Sequence, residues 1–194
     1  MMKKLITAAL FMLLSVGIKA QNEVGTISIR PVAGITISNL TDLEGNKSRV
    51  GLVSGAEFSY TVHPVVDVEA ALIYATQGAK WSPEVGDSKF SLEYINLPLT
   101  ASAQLWRGLR IRSGVQFGFN VRSKGEYGNN DEIDFKDETK KVDIAIPFGL
   151  SYEYEGFVLD ARYNLGITRA FKDDMQTKAK NSVFYITLGY KIPL

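Results

Sequence analysis

Apolar and polar residues alternate one by one along most of this chain, a period of two that in an extended strand sends successive side chains to opposite faces. The clearest stretch is 109–122. There Leu109, Ile111, Val115, Phe117, Phe119 and Val121 share one face, interrupted only by Ser113, while Arg110, Arg112, Gly114, Gln116, Gly118, Asn120 and Arg122 share the other. The same alternation sets Val142, Ile144, Ile146, Phe148, Leu150, Tyr152 and Tyr154 against Asp143, Ala145, Pro147, Gly149, Ser151, Glu153 and Glu155. It repeats from Phe157 to Ile167 and from Phe184 to Ile192. Noisier segments at about 25–38, 49–62, 66–78 and 91–105 complete a set of eight predicted strands. Pro31, Pro98 and Pro147 fall inside them, and each removes a ladder donor.

The connectors alternate in length. Short ones lie at His63-Pro64-Val65, Trp106-Arg107-Gly108 and Glu155-Gly156, and long ones at about 39–48, 79–90, 123–141 and 170–182. An even strand count, with long loops on one rim and tight turns and termini on the other, predicts an all-β, eight-stranded antiparallel up-and-down transmembrane barrel. Volume decides which face is outside. A lumen of this size is just wide enough for side chains to fill. Rows of Phe, Tyr, Leu and Ile would overfill it, whereas the charged face is thinned by Gly34, Gly51, Gly55, Gly114, Gly118, Gly149, Gly166 and Gly189. The apolar face is therefore expected in lipid, bounded by girdles of Tyr60, Trp106, Tyr152, Tyr154, Phe157 and Tyr190 at one interface and Tyr74, Trp81, Phe119, Phe171 and Phe184 at the other.

The inward face then carries Arg30, Arg110, Arg112, Arg122, Arg162 and Lys191 with Glu57, Asp67, Glu69, Asp143, Glu153, Glu155 and Asp160. Buried charges must be paired. One antiparallel register places Arg122 opposite Asp143 and Arg112 opposite Glu153, while Arg30 faces Glu57 and Asp160 faces Lys191. The expectation is a lumen plugged by ion pairs.

Residues 1–20 have a separate character: Lys3 and Lys4, an apolar run from Leu5 to Ile18, then Lys19-Ala20. The run is shorter than the roughly 20 residues a membrane helix requires, so a signal peptide ending at Ala20 and a barrel domain over 21–194 are expected. Among 194 residues there is no cysteine and one histidine, His63, which excludes disulfides, thiolate chemistry and His-cluster metal sites. A formal charge of +1 provides no field for nucleic acid. Mean hydropathy lies near zero although 45% of residues are hydrophobic, because strict alternation cancels in the average. No phosphate-cradling glycine loop occurs. Glu126, Asp131, Glu132, Asp134, Asp137 and Glu138 crowd one long loop, but Lys136, Lys140 and Lys141 dilute them and the spacing matches no calcium loop. No cofactor, metal or catalytic residue is assigned.

Pro31-Val32-Ala33-Gly34-Ile35-Thr36-Ile37-Ser38-Asn39-Leu40, Leu92-Glu93-Tyr94-Ile95-Asn96-Leu97-Pro98-Leu99 and Leu188-Gly189-Tyr190-Lys191-Ile192, behind a leader ending Lys19-Ala20-Gln21, together resemble the PorT-like outer-membrane β-barrel family of Bacteroidota-type bacteria. The resemblance spans essentially the whole chain after the leader. It implies export through the periplasm to the outer membrane, with lipid as the surroundings. Thr187, Gly189, Ile192 and Leu194 look like the signal read by the outer-membrane assembly machinery, with Leu194 standing where an aromatic is usual. The expected role is that of a monomeric, non-catalytic surface-interaction or secretion/assembly-accessory protein working through its external loops with an unidentified partner. A soluble lipocalin-like carrier of an apolar ligand is the first alternative, and a lipid-modifying enzyme of the outer membrane the second.

Overall fold

The computed structural model describes residues 23–41, 46–81, 88–127, 131–134, 139–171 and 179–194; the expected leader, 1–20, lies outside them. The strands are β1 (Ile27–Leu40), β2 (Asn46–His63), β3 (Val66–Trp81), β4 (Ser88–Trp106), β5 (Leu109–Tyr127), β6 (Asp131–Asp134), β7 (Val142–Tyr154), β8 (Phe157–Arg169), β9 (Lys180–Tyr190) and β10 (Ile192–Pro193). Consecutive strands pair antiparallel from β1 to β5, then β5–β7–β8–β9, and β1 with β9 closes an eight-stranded barrel. Two strands lie off this cylinder. β6 folds back on the end of β5, and β10 continues β9 past Lys191 to pair with Ser28 and Ile29.

Burial follows the alternation. Along β8 Val158, Asp160, Arg162, Asn164 and Gly166 are buried while Phe157, Leu159, Tyr163, Leu165 and Ile167 are exposed. Leu52, Leu72, Phe148, Leu159 and Leu188 are each more than half exposed, an apolar belt around the wall that water would not tolerate and lipid requires. A lipocalin-like carrier needs the reverse arrangement. The barrel strands run from 11 to 19 residues, beyond the 9–11 that span the hydrocarbon at a tilt, so the longest ones stand above the membrane.

Tight turns set one rim. Glu155 and Gly156, at φ 49° and 84°, form the two-residue turn whose handedness matches strand twist, which places Glu155 exposed in the turn and not on the inward face. His63 ends β2 and accepts the Val65 N–H on Nδ1 at 3.4 Å, closing the turn into β3. The C-terminus returns to this rim, where the Leu194 N–H donates to the Ile27 carbonyl at 2.9 Å.

Toward the long-loop rim the ladders loosen and threonines fill the gaps. Between Ser48 and Val53 the β2–β3 register shifts, and there the Leu52 N–H donates to Thr76 Oγ1 at 2.8 Å. Thr168 does the same for β7, accepting the Ile144 N–H at 2.8 Å and donating to Asp143 at 2.5 Å. Thr76→Val keeps the shape and strands the Leu52 amide. Its expected cost is about 1–2 kcal/mol, read as a lower urea midpoint for loss of the heat-modifiable band in detergent; an unchanged midpoint would show that the hydroxyl is dispensable.

Candidate functional site

The inward positions of the lower barrel carry the charge. Because inward residues recur every second position, Asp67 and Glu69 on β3, Arg110 and Arg112 on β5, and Asp160 and Arg162 on β8 enter the lumen as consecutive pairs, joined by Arg30 and Glu57 as direct cross-strand neighbours. Glu57 is the hub. It contacts Arg30, lies 3.1 Å from Arg112 Nη1 and accepts Arg162 Nη2 at 2.5 Å. Arg112, fully buried, faces three carboxylates: Nη1 donates to Glu57 and Nη2, at 3.3 Å, to Glu69, while Nε lies 3.2 Å from Asp160 as a charge contact without hydrogen-bond geometry. A lysine could not serve three carboxylates from one planar group. Asp160 also pairs with Arg162 at 3.2 Å, and Ser102 and Thr100 each donate to Glu69 at 2.9 Å. Toward the turn rim Arg110 holds Asp67 at 2.9 Å, and Lys191 lies 3.7 Å from both Asp67 and Glu153. The cluster thus joins Arg30, Arg110, Arg112, Arg162 and Lys191 to Glu57, Asp67, Glu69, Glu153 and Asp160, equal in number and opposite in charge.

Besides Glu155 in its turn, two expected members stand elsewhere. Arg122 is exposed on the outer wall, 3.4 Å from Glu93. A bulge explains it: Glu93 pairs with Arg122 and Tyr94 with Asn120, so the unmatched Val121 inverts the alternation and turns Arg122 outward. Asp143 is buried in the upper barrel, held by Thr168 and by Asn181 Nδ2 at 2.9 Å. The β5–β7 ladder sets Gly118 opposite Asp143 and Gly149 opposite Arg112, which corrects the expected pairings of Arg122 with Asp143 and of Arg112 with Glu153. Glycine opposite a long charged chain leaves it the lumen to cross. Asp160 faces Thr187 and not Lys191.

Above the ionic layer, alternation along β1, β3, β4 and β9 stacks three more. Val32, Val53, Ala71, Ile73, Ala75, Val183 and Tyr185 form an apolar layer. A polar layer follows, in which the Tyr185 hydroxyl accepts from Gln77 and Asn96 at 3.2 Å and Asn181 donates to the Tyr94 hydroxyl at 3.2 Å. Leu40, Ala79, Phe90, Leu92, Tyr94, Ala170, Phe171 and Ala179 close the top. Phe171, expected in a lipid girdle, is instead buried with its ring 5.5 Å from that of Phe90. The side chain of Trp81 lies outside the described residues. The turn-rim girdle does contain exposed Tyr60, Trp106, Phe157 and Tyr190, the last two packed edge to face at 5.0 Å. Sequence reasoning left Tyr94, Asn96 and Tyr185 without a role, although the two-residue period already placed them on the inward face. A cavity of about 20 Å³ bordered by Arg110, Glu153 and Lys191 remains in the ionic layer, room for about one water. Among the described residues no group of His, Asp or Glu could hold a metal ion.

The sequence has no match among curated proteins. Among solved structures the chain is similar to Ail, the attachment invasion locus protein of Yersinia pestis, at 16% identity and a TM-score of 0.52 over 87% of this chain and 99% of that one. It is similar also to the Neisserial surface protein NspA, at 15% identity and a TM-score of 0.52 over 86% of this chain and 96% of that one. These likenesses establish the fold. The family model described as outer membrane protein beta-barrel domain matches residues 19–172. With its closed eight-stranded wall and its apolar exterior, the chain belongs to that family and is a protein of the outer membrane.

Proposed function

We propose that this barrel is a non-conducting, non-catalytic outer-membrane protein of the PorT-like type, which acts from its long-loop rim as a surface-interaction or secretion/assembly-accessory protein. The observation that carries the reading is the filled lumen. Charged, apolar, polar and apolar layers succeed one another from the turn rim to the loop rim, so the inside of the cylinder is a core and not a path. With the wall committed to lipid and the interior to packing, the surface free for a partner is the outer rim. Ail and NspA, named for attachment and for the cell surface, share this architecture and are consistent with such a role. His63 is engaged in a turn at the opposite rim, which disfavours an outer-leaflet enzyme that would use it as a base.

Liposomes containing the purified protein are expected to swell in sugar and amino-acid solutions no faster than protein-free liposomes; general solute flux would overturn the closed-lumen reading. A deletion strain complemented with a chain whose segments 82–87 and 172–178 are replaced by glycine–serine linkers should insert the barrel normally and fail to restore the deletion phenotype. Full restoration would overturn the rim-based role.

A further inference from the structure

At the loop-rim end of the outer wall, Lys47 on β2 and Lys80 on β3 are direct cross-strand partners, and the register position opposite Lys80 on β4 is Lys89. Like charges placed directly opposite across a ladder repel. Lys47 and Lys80 are exposed, and no carboxylate among the described residues pairs with either. Glu93, on the same outer face of β4, is already engaged by Arg122 at 3.4 Å and by the Tyr74 hydroxyl at 2.8 Å. The wall below is bare hydrocarbon contact: Val50, Leu52 and Leu72 are 61%, 68% and 58% exposed. Lys47 is three residues above Val50, which at the rise and tilt of a barrel strand is about 8 Å. That is the depth of the headgroup band, about 5–8 Å on each side of the hydrocarbon.

We propose that the Lys47–Lys80 pair is a binding site for the phosphate of phosphorylated lipid headgroups in the leaflet around the loop rim. Cross-strand neighbours stand about 5 Å apart at Cβ, so a single phosphate can meet both ammonium groups and cancel their repulsion. The lipid's acyl chains then run down the wall along Leu52 and Leu72, a continuity that a soluble anion does not use. The site is indifferent to what the rim recognises beyond the membrane.

The full chain in nanodiscs of phosphatidylcholine containing phosphatidic acid, analysed by native mass spectrometry for retained lipid, tests this. Retained phosphatidic acid should exceed its bulk share. The excess should fall about fivefold for each lysine removed in Lys47→Gln and Lys80→Gln, survive in the Lys47→Arg/Lys80→Arg double variant, and be unaffected by Arg107→Gln at the opposite rim. A second readout has the opposite sign in the two lipids: in pure phosphatidylcholine Lys80→Gln should match or exceed the wild-type unfolding midpoint, and with phosphatidic acid it should fall below it. An unchanged preference in the double glutamine variant would overturn the proposal. So would loss of the preference in excess inorganic phosphate or soluble acidic polysaccharide, which would mark a site for free anions.

Discussion

Glu57→Ala is expected to destabilise the barrel by about 3–5 kcal/mol, the cost of removing one partner from a buried ion pair and leaving uncompensated charge behind. The substitution would leave Arg30, Arg112 and Arg162 converging on an empty position, with Glu69 and Asp160 as the carboxylates still in contact with Arg112. Urea titration of the heat-modifiable band in detergent micelles measures the loss as a lower midpoint at constant slope. A double variant separates charge balance from packing. In Glu57→Met/Arg112→Met one cation and one carboxylate leave together and apolar volume replaces them, so at least half the lost stability should return. A Glu57→Ala midpoint within about 1 kcal/mol of wild type would show that water reaches the network and screens it.

Gly34→Ala is expected to weaken the seam at which the barrel closes, by about 2–3 kcal/mol as overpacking against backbone. A Cβ at Gly34 would lie 2.0 Å from the Ile186 carbonyl oxygen and 2.7 Å from the Thr187 Cα, both main-chain atoms of β9, so no side-chain rotation relieves the contact. The glycine lets β1 and β9 coil closely across each other, and this pairing joins the most distant parts of the chain. Because distant pairings form at the greatest entropic cost, refolding from urea into micelles should slow as well. Ala33→Val is the matched control. Ala33 is adjacent but exposed on the lipid side, and the change there should stay within about 0.5 kcal/mol. Equal behaviour of the two variants would show that close approach at Gly34 is not what constrains the seam.

The difference between what was legible in the chain and what was not follows the range of the physics. Alternation is local: each Cβ points opposite to its neighbours whatever the partner strand is, so the strands, their faces and the exposed apolar belt can be read from period two alone. Glu155-Gly156 is legible for the same reason, since a two-residue turn sets its own geometry. Register across long loops is not local. Nothing in 123–141 specifies which residue of β7 meets Arg112, and the ladder that forms, with Gly149 opposite, is selected by how large and small residues fit together across the lumen.

Bulges and lumen packing behave likewise. The unmatched Val121 turns Arg122 out to Glu93 because β4 and β5 must accommodate an extra residue, a property of two strands and not of one. Phe171 and Phe90 meet at the top of the lumen, their rings 5.5 Å apart in one buried apolar cluster, a contact between segments far apart in the chain. Side-chain direction in a strand needs no partner, so the alternation alone already specifies an eight-stranded barrel with its apolar side in lipid and its charges inside. Which charges meet, at Glu57 and Arg112, and which turn outward, as Arg122 does, depends on pairing between residues far apart in the chain and emerges with the closed barrel.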